Sequence, residues 1–170
     1  MNFLELASQR QSCRAYLDKE VEQEKIQSLI KAAHLAPSAC NSQPFEMTVC
    51  TKENAKKVEE LCVAGGMNKF ATQAPVCIVL SEGEYSRSAA LGAKRYHNDY
   101  RSLDIGEVCA YITLQATSIG LSTCILGAFK NEAIKEICHI DGDVRLVILV
   151  GYASDETVRN KIRKDHYKII

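Results

Sequence analysis

The chain has 170 residues, of which 46% are hydrophobic and 25% charged, and its formal net charge is zero. That length fits a single domain, expected over 1–170, with a core of ordinary size. Balanced charge offers no global field for nucleic acid or an anionic membrane surface, and no apolar run approaches the roughly 20 residues that cross a bilayer.

The first informative segment is Arg10-Gln11-Ser12-Cys13-Arg14. In an extended segment Arg10, Ser12 and Arg14 share one side, and two guanidiniums beside a hydroxyl suit a phosphate; the same residues also fit a solvated loop. Ile26, Leu29, Ile30 and Ala33 fall at helical spacing and predict a helix over 21–36, which Pro37 stops. A polar loop from Pro37 to Pro44 follows. Its two prolines stiffen it, and its Ser, Asn and Gln side chains suit either a heterocycle edge or an ordinary turn. A strand is expected over 45–50, then a helix over 52–63 capped by Thr51 and broken at Gly65-Gly66.

The continuous apolar run over 76–81 predicts a strand buried on both faces. A weaker helix is expected over 85–98. Asp104 and Glu107 resemble a capping box opening a long, buried helix with its apolar stripe on Ile105, Val108, Cys109, Ile112, Ala116 and Ile119. Gly120 is a stop signal. Strands over 121–126 and 145–152 flank a short helix over 131–138. The tail beyond carries Arg159, Lys161, Arg163, Lys164 and Lys168 without an apolar period, and is expected to cross a surface or another subunit. If the termini meet, Lys161 and Arg163 can share one phosphate with Arg10 and Arg14.

The eight cysteines form no Cys-x-x-Cys pair and no zinc-type cluster, and most lie in apolar runs, so no metal or disulfide is expected. With no signal peptide recognised, a reducing cytoplasm is the expected compartment. No nucleophile elbow, dinucleotide fingerprint or P-loop is present. The four histidines fall in no catalytic pattern. Interspersed elements without a βαβ repeat fit an α+β domain around a four- or five-stranded sheet. Anion and heterocycle binding without an acid, base or nucleophile points to chemistry carried by a cofactor.

The chain resembles the nitroreductase family of FMN-dependent oxidoreductases. The resemblance rests on Arg10 to Arg14, Ala36-Pro-Ser-Ala-Cys-Asn-Ser-Gln-Pro-Phe45, Asp104-x-Gly106, Gly120-Leu121, Ile125-Leu126-Gly127, Gly151-Tyr152 and the basic tail, in that order. It implies helices around a central mixed, mostly antiparallel sheet, and a homodimer with FMN at the interface. It implies FMN contacts from Arg10, Gln11, Ser12 and Arg14, with Lys161 and Arg163 completing the phosphate site. Pro37, Ser38, Ala39 and Asn41 would reach the flavin from the partner subunit, and the backbone at Leu126-Gly127 would approach its N5. Asn68 and Lys69 are further candidates for the ring edge, and Arg14 for stabilising the reduced flavin. Residues 64–74 and 85–103 are the candidates to cover the ring. The implied activity is ping-pong hydride transfer from NADH or NADPH, through FMN, to a nitroaromatic, quinone or similar small acceptor. A flavin carrier or sensor with little turnover is the alternative. Phe45 stands where many members have Trp.

Overall fold

The computed structural model describes residues 2–63, 66–164 and 166–169. In chain order the elements are α1 (Phe3–Gln9), α2 (Gln23–His34), β1 (Phe45–Thr51), α3 (Lys52–Leu61), β2 (Val76–Glu82), α4 (Arg87–Tyr96), α5 (Tyr100–Ser118), β3 (Ser122–Leu126), α6 (Asn131–Cys138) and β4 (Val144–Gly151). Short 3-10 turns lie at Ala39–Asn41 and Lys69–Gln73.

The four strands pair in the order β1-β2-β4-β3, and every pairing is antiparallel. The expected mixed character reduces, among the described residues, to a single parallel bridge between Ser12 and Thr123. Side chains alternate along the central strand β2, and each face meets its own helices. Val76, Ile78 and Leu80 pack with Ile26 and Leu29 of α2 and with Ile105, Val108 and Ile112 of α5. Cys77 and Val79 face the other way, toward Val58 of α3 and Ile134 of α6. A strand covered on both faces has no solvent-facing side, which is why Val76 to Leu80 reads as an unbroken apolar run. Each large aliphatic side chain buried this way contributes roughly 1.5–3 kcal/mol.

Several elements differ from expectation for identifiable reasons. α5 begins at Tyr100, one turn before the expected capping box, and its N-cap is Asp99, whose carboxylate accepts from Ser102 N at 3.1 Å. Asp104 is therefore no cap; it lies inside the helix and is 3% exposed. α1 was not foreseen because it buries no residue and so has no core-facing stripe; a true capping box between Asn2 and Glu5 forms it. Thr51 does precede α3, but its side chain makes no capping bond. Gly120 has the left-handed φ of +76° expected just past a helix end. Of the expected break at Gly65-Gly66, Gly65 lies outside the described residues and Gly66 has φ +82°.

One side chain breaks the polarity of the core. Glu59, on the inner face of α3, is fully buried, and neither carboxylate oxygen has a hydrogen-bond partner among the described residues. Burial pushes its carboxyl up to about 8, with Lys56 acting weakly the other way. The eight cysteines are free thiols in the structure, and Cys50 Sγ and Cys138 Sγ lie 3.6 Å apart.

Candidate functional site

The two ends of the described chain meet. Cys13 N donates to Thr123 O at 2.8 Å, which lays residues 12 and 13 against the free edge of β3. Leu17 N and Ser154 N then join the same segment to the end of β4. From there the tail folds back over residues 10–12. Gln11 Oε1 accepts from Arg159 N and Arg159 Nε, both at 3.1 Å, while Gln11 Nε2 donates to Thr157 O at 2.8 Å. Arg159 Nη2 donates to Ser12 O at 2.6 Å, and Lys161 Nζ donates to Arg10 O.

That docking brings Arg10, Lys161 and Arg163 to one cavity of about 330 Å³, walled by Gly106, Cys109 and Thr113 of α5 and by Ile125 of β3. No carboxylate lines it among the described residues. The three cations repel one another: desolvation and the charges of Arg10 and Arg163 hold the Lys161 ammonium below its ordinary pKa. Arg10 Nη1 is buried with no hydrogen-bond partner among the described residues. A buried guanidinium N–H without an acceptor is costly, and an anion in the cavity would satisfy it while relieving the repulsion. On the same wall Cys109 is an inert thiol, pushed by burial up to about 11 against the opposing pull of Arg10.

Glycine supplies a second indication. A Cβ built at Gly127, just past β3, would meet nothing within 4 Å, and the same holds at Gly106 in the middle of α5. Neither residue has a left-handed φ. Glycine inside a helix costs about 1 kcal/mol relative to alanine, and Gly106 is exposed with nothing of this chain against it, so no packing within the chain calls for a glycine there. The donor set, the orphaned guanidinium and the open glycine positions fit a bound phosphate with a planar group lying close to backbone.

The other expected site residues divide into three groups. Gln11 spends its amide on the tail, so it is a tether for the cation cluster and does not reach into the cavity. Ser12 lies in the bridged segment, and Arg14 and Gly127 are exposed beside it, outside the cavity's lining. Pro37, Ser38, Ala39 and Asn41 do not line it either; they form a separate loop braced against the start of α5. Within one chain, no described residue of 66–74 or 85–103 lines the cavity. Sequence reading missed Arg159 as the clasp on Gln11, and missed the small-residue face of α5 as a wall. The one signal for that wall was a glycine, Gly106, in an otherwise uninterrupted helix. A larger cavity of about 910 Å³, between the starts of α2 and α3, contains none of the expected FMN contacts, although Thr72, Gln73 and Ala74 from the candidate cover line it.

A family model described as the nitroreductase family matches residues 7–66 and 62–152. The chain belongs to the nitroreductase family. It is 30% identical over 160 residues to an Archaeoglobus fulgidus protein provisionally named NADH dehydrogenase/NAD(P)H nitroreductase, covering 90% of this chain and 86% of the relative. It is 34% identical over 134 residues to the FMN reductase [NAD(P)H] of Bacillus subtilis, of which it spans 52%. Among solved structures it is similar to the FMN-dependent nitroreductase of Clostridium difficile R20291, with a TM-score of 0.75 at 25% identity, covering 97% of this chain and 100% of that one. A nitroreductase family protein from Clostridium difficile 630 superimposes with a TM-score of 0.74 at 27% identity, covering 94% of this chain and 88% of that one. The fold is thus the nitroreductase fold, and no helix among the described residues is long and apolar enough to cross a membrane.

Proposed function

We propose that the chain works as a homodimer that holds FMN between subunits and passes electrons from NAD(P)H to a nitroaromatic, quinone or similar small acceptor in two alternating half-reactions. Family membership makes it an FMN-dependent NAD(P)H oxidoreductase; the acceptor class, the residue roles and the dimer are the proposal. The observation that carries it is the cavity where Arg10, Lys161 and Arg163 converge, with Arg10 Nη1 buried and unpartnered among the described residues. When bound, FMN supplies a two-electron carrier that takes hydride from one substrate and delivers electrons to the next.

The chain's own contribution is binding and orientation. Arg10, Lys161 and Arg163 hold the phosphate. Ser12 and Arg14 continue along the same extended segment toward the ribityl chain and the pyrimidine edge, where the Arg14 charge stabilises developing negative charge. Gly127, with open space where a side chain would stand, lets backbone approach the ring. The partner's copy of the loop from Pro37 to Asn41 closes the other side. The dimer reading draws support from apolar side chains left exposed on the same segments that line the cavity: Phe3 (66%) and Leu4 (77%) on α1, Leu103 (55%) on α5 and Ile162 (92%) in the tail.

The test is direct. Purified protein should be yellow, bleach on anaerobic addition of NADH or NADPH, and regain its colour when a quinone or nitroaromatic is added. A bound flavin that neither nucleotide bleaches would instead identify a flavin carrier or sensor. A protein that stays colourless after FMN is supplied would refute the site.

A further inference from the structure

We propose that Asp104 is a positioning residue: its buried carboxylate clamps the loop from Pro37 to Gln43 to α5, and so sets where that loop meets the flavin of the neighbouring site. This rests on the reading above, in which the loop reaches FMN across the dimer.

The loop is unusually constrained. Cys40, Asn41 and Gln43 have φ of 54°, 51° and 48°, three left-handed residues in four, none of them glycine. Non-glycine residues held there are strained, so the conformation persists only if its surroundings enforce it. Most of its ties are local or lie at its margin. Ser38 Oγ accepts from Gln43 N at 3.0 Å, Gln43 Nε2 donates to Asn41 O at 3.1 Å and to Asn41 Oδ1 at 3.2 Å, and Ser42 Oγ accepts from Ser86 N at 2.7 Å. One is different in kind. Ala39 N donates to Asp104 Oδ1 at 3.1 Å across 65 residues of sequence. Asp104 is 3% exposed, and its Oδ2 is buried without a partner among the described residues.

A carboxylate buried one turn into a helix is expensive, and capping does not explain it, because the cap of α5 is Asp99. Its one side-chain hydrogen bond among the described residues ends on the loop. Two residues further along the same helix, Gly106 opens the wall of the cation cavity. α5 therefore carries both a wall of its own phosphate site and the anchor of the loop that closes its partner's site. A charge-assisted bond from a fixed helix to a loop amide places that loop more firmly than a neutral surface contact does.

The experiment measures the dissociation constant for FMN by flavin fluorescence, together with dimerisation by sedimentation and the melting temperature of the apoprotein. Asp104→Ala should weaken FMN binding by about tenfold or more, the size expected for one lost charge-assisted bond. Asp104→Asn keeps a carbonyl oxygen for Ala39 N–H and should stay within about threefold of wild type. A purely structural role would lower the melting temperature of both variants and leave the FMN constant alone. Should Asp104→Ala not fold, Ala39→Pro decides, because it deletes the donor instead. Ala39 opens a 3-10 turn and follows an extended Ser38 (φ −151°, ψ 153°), a place where proline fits, and it should give the same loss. Wild-type affinity in Asp104→Ala or in Ala39→Pro would overturn the inference, as would equal losses in Asp104→Asn and Asp104→Ala. A wild-type protein that is monomeric or binds no FMN would overturn the functional reading itself.

Discussion

Glu59→Gln should change how stability depends on pH. In the folded protein the Glu59 carboxyl is raised to about 8 by burial, against an ordinary value of 4.5. Between those two values the folded state holds a proton that the unfolded chain has released, so the stability present at low pH is lost as pH rises toward the folded value. The slope from one such group is about 1.4 kcal/mol per pH unit, which amounts to about 4 kcal/mol between pH 5 and pH 8. That is a large share of the roughly 5–15 kcal/mol that holds an ordinary domain together. Glutamine has nearly the same shape and cannot ionise, so the variant should lose this slope whatever its absolute stability. Asp99 and Asp143 do not blur the comparison. Hydrogen bonds from Ser102 and Asn131 hold their carboxyls below the usual range, so their contribution is present at neutral pH and lost only in acid, below this window. Urea unfolding of the apoprotein at several pH values from about 5 to 8 measures the difference. The wild-type midpoint should fall with rising pH while that of Glu59→Gln holds nearly level. Parallel curves would refute the reasoning.

Arg10→Ala and Arg163→Ala should each weaken FMN binding by roughly 1.5–3 kcal/mol, about one to two orders of magnitude, with little change in apoprotein melting; unchanged flavin occupancy in both would contradict the phosphate assignment. Gly127→Leu should leave apoprotein stability within about 0.5 kcal/mol of wild type, because nothing in this chain lies within 4 Å of the added Cβ, yet it should obstruct flavin uptake. Gly142→Ala should do the reverse. Its Cβ would stand 1.9 Å from Glu82 O, so unfolding experiments should show a loss of about 3 kcal/mol or more, and normal stability would mean that the loop before β4 yields easily.

What the sequence disclosed depended on whether a local pattern had a single physical meaning. The apolar run of β2 and the bounds of α6 could be read because burial on a sheet or a helix stripe leaves few other solutions. Asp104 misled because an acidic residue three before Glu107 looks like a cap, whereas its real partner, Ala39 N, lies 65 residues away. α1 carried its signal in Asn2 and Glu5, but without a buried side chain it had no period to follow. The cation cluster was foreseen only as a condition, that the ends should meet. The clasp that meets it, Arg159 on Gln11, is an exposed pair with no local signature. Glu59 sits among charged neighbours in Lys56-Lys57-Val58-Glu59-Glu60, and only the packing of α3 shows that this one carboxyl faces inward.

The docking of the tail also has a consequence for biosynthesis. The bonds from Gln11 to Thr157 and from Lys161 to Arg10 close over 146 and 151 residues. At roughly 5–20 residues per second, a ribosome releases Lys161 about 8–30 s after Arg10. All four strands and both layers of helices precede the tail in the chain. Every element of the sheet is therefore made before two of the three cations of the proposed phosphate grip, so on that reading the scaffold comes first and the grip second.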